Sequence, residues 1–158
     1  MKKYSIEIKW GVLFTIITLV WMVFEKSMGW HDENIADHPM YTMLFMIPAI
    51  LLYIIALRDK RDNQLDGKMT WKQAFISGMI ISLIVAILSP LSQWITHTYI
   101  TPDYFENAIQ YSVETHQYTL EAANKYFNLS SYIVLSTVWA FIAGLITSAI
   151  VALFVRKK

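Results

Sequence analysis

The sequence predicts an all-α protein: a polytopic membrane four-helix bundle with an extracytoplasmic amphipathic helical hairpin between its third and fourth helices. Three observations predict it. The composition is 56% hydrophobic and 15% aromatic with only 16% charged residues, where a soluble domain carries about a quarter charged. Four stretches, residues 10–24, 38–57, 73–102 and 126–155, contain no Asp, Glu, Lys or Arg, and roughly 20 apolar residues suffice for a helix to cross the hydrocarbon core. Lysine and arginine are sorted to alternate connections between these stretches. At 158 residues the chain is one domain's length, read as a single transmembrane domain over 1–158.

The first span falls at about 8–28. Its charge-free stretch is short, but Lys9 can snorkel and the helix can run on past Glu25 toward Trp30. Glu7, Gly11, Thr15, Thr18 and Glu25 lie on roughly one stripe, which is expected to turn inward. Glu25 is the acid read at membrane depth, where an ionisable group is a functional candidate by default. The plainer reading is an interfacial carboxylate paired with Lys26. A cleaved signal peptide competes for this segment, but Glu25 and Lys26 interrupt the apolar-to-small transition such a site needs.

The second span falls at about 40–57 and contains Pro48, expected to kink it. Its end is set by Arg58-Asp59-Lys60-Arg61-Asp62; each such charge costs about 2.5–3.5 kcal/mol at the bilayer centre, so these residues read as a loop outside the hydrocarbon. The third span, about 74–96, carries Gly78, Ser82 and Ala86 at four-residue spacing, then Pro90. Proline frees the carbonyl of Ala86, which Ser89, Ser92, Gln93 or water can satisfy. Gln93 and Pro90 are therefore candidate functional positions, as broken helices mark some transporter sites. The fourth span, about 131–155, carries Ser136, Ala140, Gly144, Ser148 and Ala152 at the same spacing. Small-residue stripes let helices approach closely in lipid, either between these two spans or between two copies of the chain.

The connection at about 101–128 reads as two helices. Thr101-Pro102-Asp103 has the pattern of an N-cap, a proline at the first helical position and an early acid. Phe105, Ala108, Ile109, Ser112 and Val113 share an apolar face, with Tyr104, Tyr111 and Tyr118 along its flank. A second short helix is expected from Thr119 to about Phe127.

Orientation follows from the basic residues. Lys2, Lys3, Lys9, Arg58, Lys60, Arg61, Lys68, Lys72, Arg156, Lys157 and Lys158 fall on one side, eleven against Lys26 and Lys125 on the other. The positive-inside rule places both termini in the cytoplasm. The two halves share a weak motif, Ile16-Ile17-Thr18-Leu19-Val20 against Ile80-Ile81-Ser82-Leu83-Ile84, too short to establish duplication.

A near-neutral chain with no cysteine excludes nucleic-acid binding through bulk charge, disulfides and thiolate chemistry. No nucleophile–base spacing and no glycine-rich phosphate loop is present. All four histidines fall outside the cytoplasmic side, and His31, Asp32, Glu33, Asp37 and His38 could supply nitrogen and oxygen ligands to a divalent metal, although without a recognised ligand spacing.

Several stretches carry a family resemblance: Glu7-Ile8-Lys9-Trp10-Gly11, Gly29-Trp30-His31-Asp32, Ala56-Leu57-Arg58-Asp59-Lys60, Gly67-Lys68-Met69-Thr70, Leu88-Ser89-Pro90 and, most specifically, Thr101-Pro102-Asp103-Tyr104-Phe105. In these the chain resembles the bacterial membrane proteins grouped as domain of unknown function 4199. The resemblance implies a bacterial inner-membrane location and a four-span layout, and no activity or cofactor. The expected function is a non-enzymatic accessory or self-associating membrane component, with the lipid bilayer and a second copy or another membrane protein as partners. A small oligomeric permease or channel is the alternative, and an outer-face metal-binding or pH-sensing protein the second alternative.

Overall fold

A computed structural model describes residues 3–157; Lys2 and Lys158 of the basic flanks lie outside the described residues. The protein is all-α. The first long helix, α1, spans Ser5–Ser27. A 3-10 turn at Ile35–Asp37, the short helix α2 (His38–Tyr41) and a second 3-10 turn at Thr42–Phe45 lead into α3 (Met46–Gln64). Then follow α4 (Trp71–Ile95) with a π-helical extension at Thr96–Ile100, α5 (Tyr104–Glu114), α6 (Leu120–Tyr126) and α7 (Leu129–Val155). Four helical stretches, Ser5–Ser27, Ile35–Gln64, Trp71–Ile100 and Leu129–Val155, are long and apolar enough to cross a bilayer. This is a multi-pass membrane protein.

The helices neighbour one another in a closed order: α1 packs on α4, α4 on α7, α7 on α3 and α3 on α1. Large apolar side chains point away from this assembly; Ile87 is 67% and Phe154 78% exposed. That is the expected surface when the surrounding medium is hydrocarbon. The closest contact is between α4 and α7, where the two small-residue stripes meet. A Cβ at Gly78 would run into Ser148, and one at Gly144 into Ser82 and Tyr53. Ser82 and Ser148 are fully buried, and each donates to the carbonyl one turn back, Gly78 O at 2.8 Å and Gly144 O at 2.6 Å. Ala86 and Ala152 are buried on the same faces, and Ser136 and Ala140 are half-buried.

Several helix ends differ from the sequence expectation. The α3 helix runs through the charged residues 58–62 to Gln64 rather than giving way to a loop. Pairs one turn apart hold it, Asn63 Nδ2 to Asp59 at 2.7 Å and Lys60 Nζ to Gln64 at 2.6 Å, and Asp59 accepts from Lys9 and from Trp10 Nε1. Pro48 sits in the first turn of α3, directly after a 3-10 turn, where a proline costs no helical bond. In α4, helical geometry continues through Pro90, and Ser89 Oγ meets Ser136 Oγ at 2.9 Å. The α5 helix begins at Tyr104, with Asp103 in the cap position making no side-chain cap bond. Thr101 is buried instead, its N–H bonded to Thr96 O at 2.8 Å. Thr119 and Asn128 cap α6 and α7, accepting from Ala122 N and Ser131 N.

Candidate functional site

Helix α1 carries Glu25 in its last turn, and Trp21, one turn earlier, donates its indole N–H to Glu25 Oε1 at 2.5 Å. The chain then reverses tightly. Gly29 has φ +75°, a left-handed conformation suited to glycine, and Trp30 N bonds back to Glu25 O at 3.2 Å. This turn returns His31 onto the carboxylate, with Nε2 3.0 Å from Glu25 Oε2. His38, the first residue of α2, brings its Nε2 to 3.5 Å from the same oxygen. Stacking of Trp30 on Tyr41, 4.6 Å between ring centres, ties the turn to α2.

Glu25 is fully buried and His31 is 3% exposed. A charged carboxylate withdrawn from water is tolerated only with partners that return the lost hydration. Here the partners are two imidazoles and an indole. One ligand atom from each of Glu25, His31 and His38 lies within 4.8 Å of the others, the arrangement of a nitrogen–oxygen metal site.

Helix α5 closes one side. The Tyr104 ring lies 5.3 Å from both His31 and His38, and its hydroxyl is 3.4 Å from His38 Nδ1 and 3.1 Å from the Tyr132 hydroxyl. Burial pushes the Tyr104 phenol up to about 12, so it remains a neutral hydroxyl at physiological pH. Asn107, one turn on, donates to His31 O at 3.0 Å and so locks α5 to the turn. His97 comes from the π-helical turn, stacks on Phe105 at 4.1 Å and sets Nε2 3.1 Å from Gln93 Oε1. His31, His38, Gln93, His97, Tyr104 and Tyr132 wall a chamber of about 310 Å³ that also meets Met22, Thr96, Tyr126 and Trp139.

A second polar centre lies at the other end of α1. Glu7 is 1% exposed and pairs with Lys60 Nζ at 2.7 Å, while Ser77 donates to it at 2.9 Å. Glu7 and Glu25 are five helical turns apart, so one face of α1 carries both buried acids. Between them Gly11 lets Ile84 of α4 approach the α1 backbone.

The structure brings together Glu25, His31, His38 and Gln93 from the candidates read in the sequence. Asp32, Glu33 and Asp37 are exposed and do not join the cluster; Asp32 Oδ1 instead accepts from Glu33 N at 2.7 Å. Pro90 is half-buried and lines none of the chamber. His116 is exposed. Lys26, expected to pair with Glu25, does not; the histidines take that place. Glu7 is buried, as the stripe of α1 expected to turn inward implies, whereas sequence reasoning missed the inward roles of Tyr104 and Tyr132. The heptad spacing that set Tyr104 on a flank concealed it.

A family model described as "Protein of unknown function (DUF4199)" matches residues 9–157. No curated protein and no solved structure matches the chain. With nearly the whole chain matched, from Lys9 near the start of α1 to Lys157 beyond the end of α7, the protein belongs to the DUF4199 family.

Proposed function

We propose that this protein is a bacterial inner-membrane protein that binds a divalent transition metal, of the zinc class, at Glu25, His31 and His38 on the non-cytoplasmic face. The convergence of one fully buried carboxylate and two histidines carries the reading. The two carboxylate–imidazole separations, 3.0 and 3.5 Å, bracket the roughly 3.3 Å expected between ligands about 2.0–2.1 Å from a tetrahedral ion. Three protein ligands leave a coordination position free for a water or a ligand from the chamber. Tyr104, through its contact with His38 Nδ1, serves as the outer partner that orients a ligating imidazole.

The excess of Lys and Arg at the opposite end supports the orientation, with both termini cytoplasmic. The role is a non-enzymatic one, metal binding or sensing. The stripes that motivated self-association are covered within the chain by each other, so this reading is preferred over a self-associating component.

The test is metal content of the purified full chain after dialysis against zinc. One equivalent per chain is expected, falling to less than a tenth in Glu25→Gln and His31→Gln. A wild-type protein that retains no more metal than Glu25→Gln would refute the site and leave an internal carboxylate–histidine ion pair in its place.

A further inference from the structure

At the end of the bundle opposite the histidine chamber, the start of α1, the end of α3 and the start of α4 enclose a pocket of about 550 Å³. Its volume falls within the roughly 300–1,000 Å³ of small-molecule sites. Two bonds tie its walls together: Lys60 Nζ donates to Lys3 O at 3.1 Å, and Gln64 Nε2 to Ser5 Oγ at 3.0 Å. Its floor is Glu7 and Ser77, both buried, with Lys60 neutralising the acid.

The groups left over around the mouth are exposed, within reach of solvent, and of two kinds. Donors are the Lys3 ammonium, 5.3 Å over the Tyr4 ring, the Tyr4 hydroxyl, and Gln73 Nε2, whose Oε1 is taken by the cap of α4. Acceptors are the Asp66 carboxylate and Asn63 Oδ1, whose Nδ2 is given to Asp59. Neither Lys3 nor Asp66 forms an ion pair among the described residues. One unspent cation and one unspent anion on the same pocket complement a zwitterion.

The remaining wall is apolar, Ile76 and Ile80 of α4. Leu83, 49% exposed, and Ile87 continue the same helix face beyond the pocket. From Ile76 to Ile87 this face runs about 16 Å at 1.5 Å per residue. That is about half of the ~30 Å hydrocarbon core, the depth of one leaflet.

We propose that this pocket holds the head of a phospholipid of the phosphatidylethanolamine class. The phosphate meets Lys3, Tyr4 and Gln73, the primary ammonium meets Asp66 and Asn63, and a chain lies along Ile76, Ile80, Leu83 and Ile87. A choline head has no N–H to give these acceptors, and a glycerol head leaves Asp66 facing a net anion. The site shares no residue with the histidine chamber and stands apart from the metal reading.

The experiment titrates the full chain in maltoside micelles with dioleoyl phosphatidylethanolamine, phosphatidylcholine and phosphatidylglycerol, followed by native mass spectrometry. The ethanolamine lipid is expected to bind about fivefold more tightly than either other lipid. Glycerophosphoethanolamine, the same head without chains, is expected to bind at least about a hundredfold more weakly. Asp66 has φ +51°, a conformation asparagine also adopts, so Asp66→Asn keeps the turn and removes the preference for ethanolamine over choline. Lys3→Gln weakens all three lipids. An ethanolamine lipid bearing a diazirine on its chain labels peptides carrying Ile76 and Ile80 above those carrying the exposed Phe154 at the same end of the bundle. Choline or glycerol lipid binding as tightly as ethanolamine lipid, a preference unchanged in Asp66→Asn, or equal labelling at Phe154 would overturn the proposal.

Discussion

Replacing Gly144 with leucine tests the contact on which the helix assembly depends. A Cβ at this position would lie 2.6 Å from the Tyr53 hydroxyl and 2.7 Å from Ser82 Cβ, closer than side chains tolerate. Neither neighbour can retreat. Ser82 is fully buried, and Tyr53 is 3% exposed with its hydroxyl 2.8 Å from Ser82 Oγ. Overpacking a tight core costs about 1–3 kcal/mol, and losing an interhelical hydrogen bond in a membrane costs about 0.6 kcal/mol more. Removing a helical glycine returns at most about 1 kcal/mol of helix propensity. These terms sum to a loss of at least about 0.6–2.6 kcal/mol for Gly144→Ala, and the bulkier Gly144→Leu should lose more than Gly144→Ala. Unfolding in mixed dodecyl sulfate–maltoside micelles, followed by circular dichroism, gives the difference. Ala143→Leu, on the exposed neighbouring position, provides the size-matched control and should stay within about 0.5 kcal/mol of wild type. If Gly144→Leu matched that control, the α4–α7 stripe would not be the contact described. If it changed oligomer size without changing stability, the stripe would serve a second copy instead.

Further outcomes follow from the polar centres and caps. Lys60→Met leaves the Glu7 carboxylate buried and unpaired and should cost about 3–5 kcal/mol; Glu7→Gln/Lys60→Met should recover most of it in the same unfolding assay. Asn128→Ala removes the cap of α7 and should lower stability by about 0.5–2 kcal/mol, whereas Asn124→Ala, which caps no helix, should not. Tyr104 has an ordinary value of 10.0 and is held up to about 12 in the folded protein. Between those values the unfolded chain releases its proton first, so stability falls as pH rises through that window. Thermal midpoints of the solubilised protein should therefore decline above pH 10, and less steeply in Tyr104→Phe.

The spans were legible because each rests on a local property, a long charge-free stretch, that tertiary structure does not alter. The paired stripes were legible for a similar reason: small residues at four-residue spacing describe a helix face whatever meets it. The limits of α3 were not, because charge was taken to end a helix. In the structure charge ends only the apolar part of the helix, and Asp59 and Lys60 find partners in Lys9, Trp10 and Glu7 on α1. The site was half legible. His31 and His38 are close in sequence, and Glu25 was singled out by depth. Their meeting depends on the reversal at Gly29, and the choice of Glu25 over Asp32, Glu33 and Asp37 depends on which carboxylate faces inward. Tyr104 and His97 reach the chamber only through the π-helical turn and the buried Thr101, a long-range placement with no sequence period to announce it.

The meeting of α4 and α7 also sets an order of assembly. Residues 96–128 separate them in the chain, and ribosomes add about 5–20 residues each second. For a few seconds after α4 emerges, the side of it that carries Gly78 lacks its neighbour, Ser148 of α7. Helix α1 can already shelter the flank where Gly11 receives Ile84. The nascent protein thus waits as an incomplete trio with one vacant slot shaped for a late arrival, and a foreign helix with small residues in register could occupy that slot first.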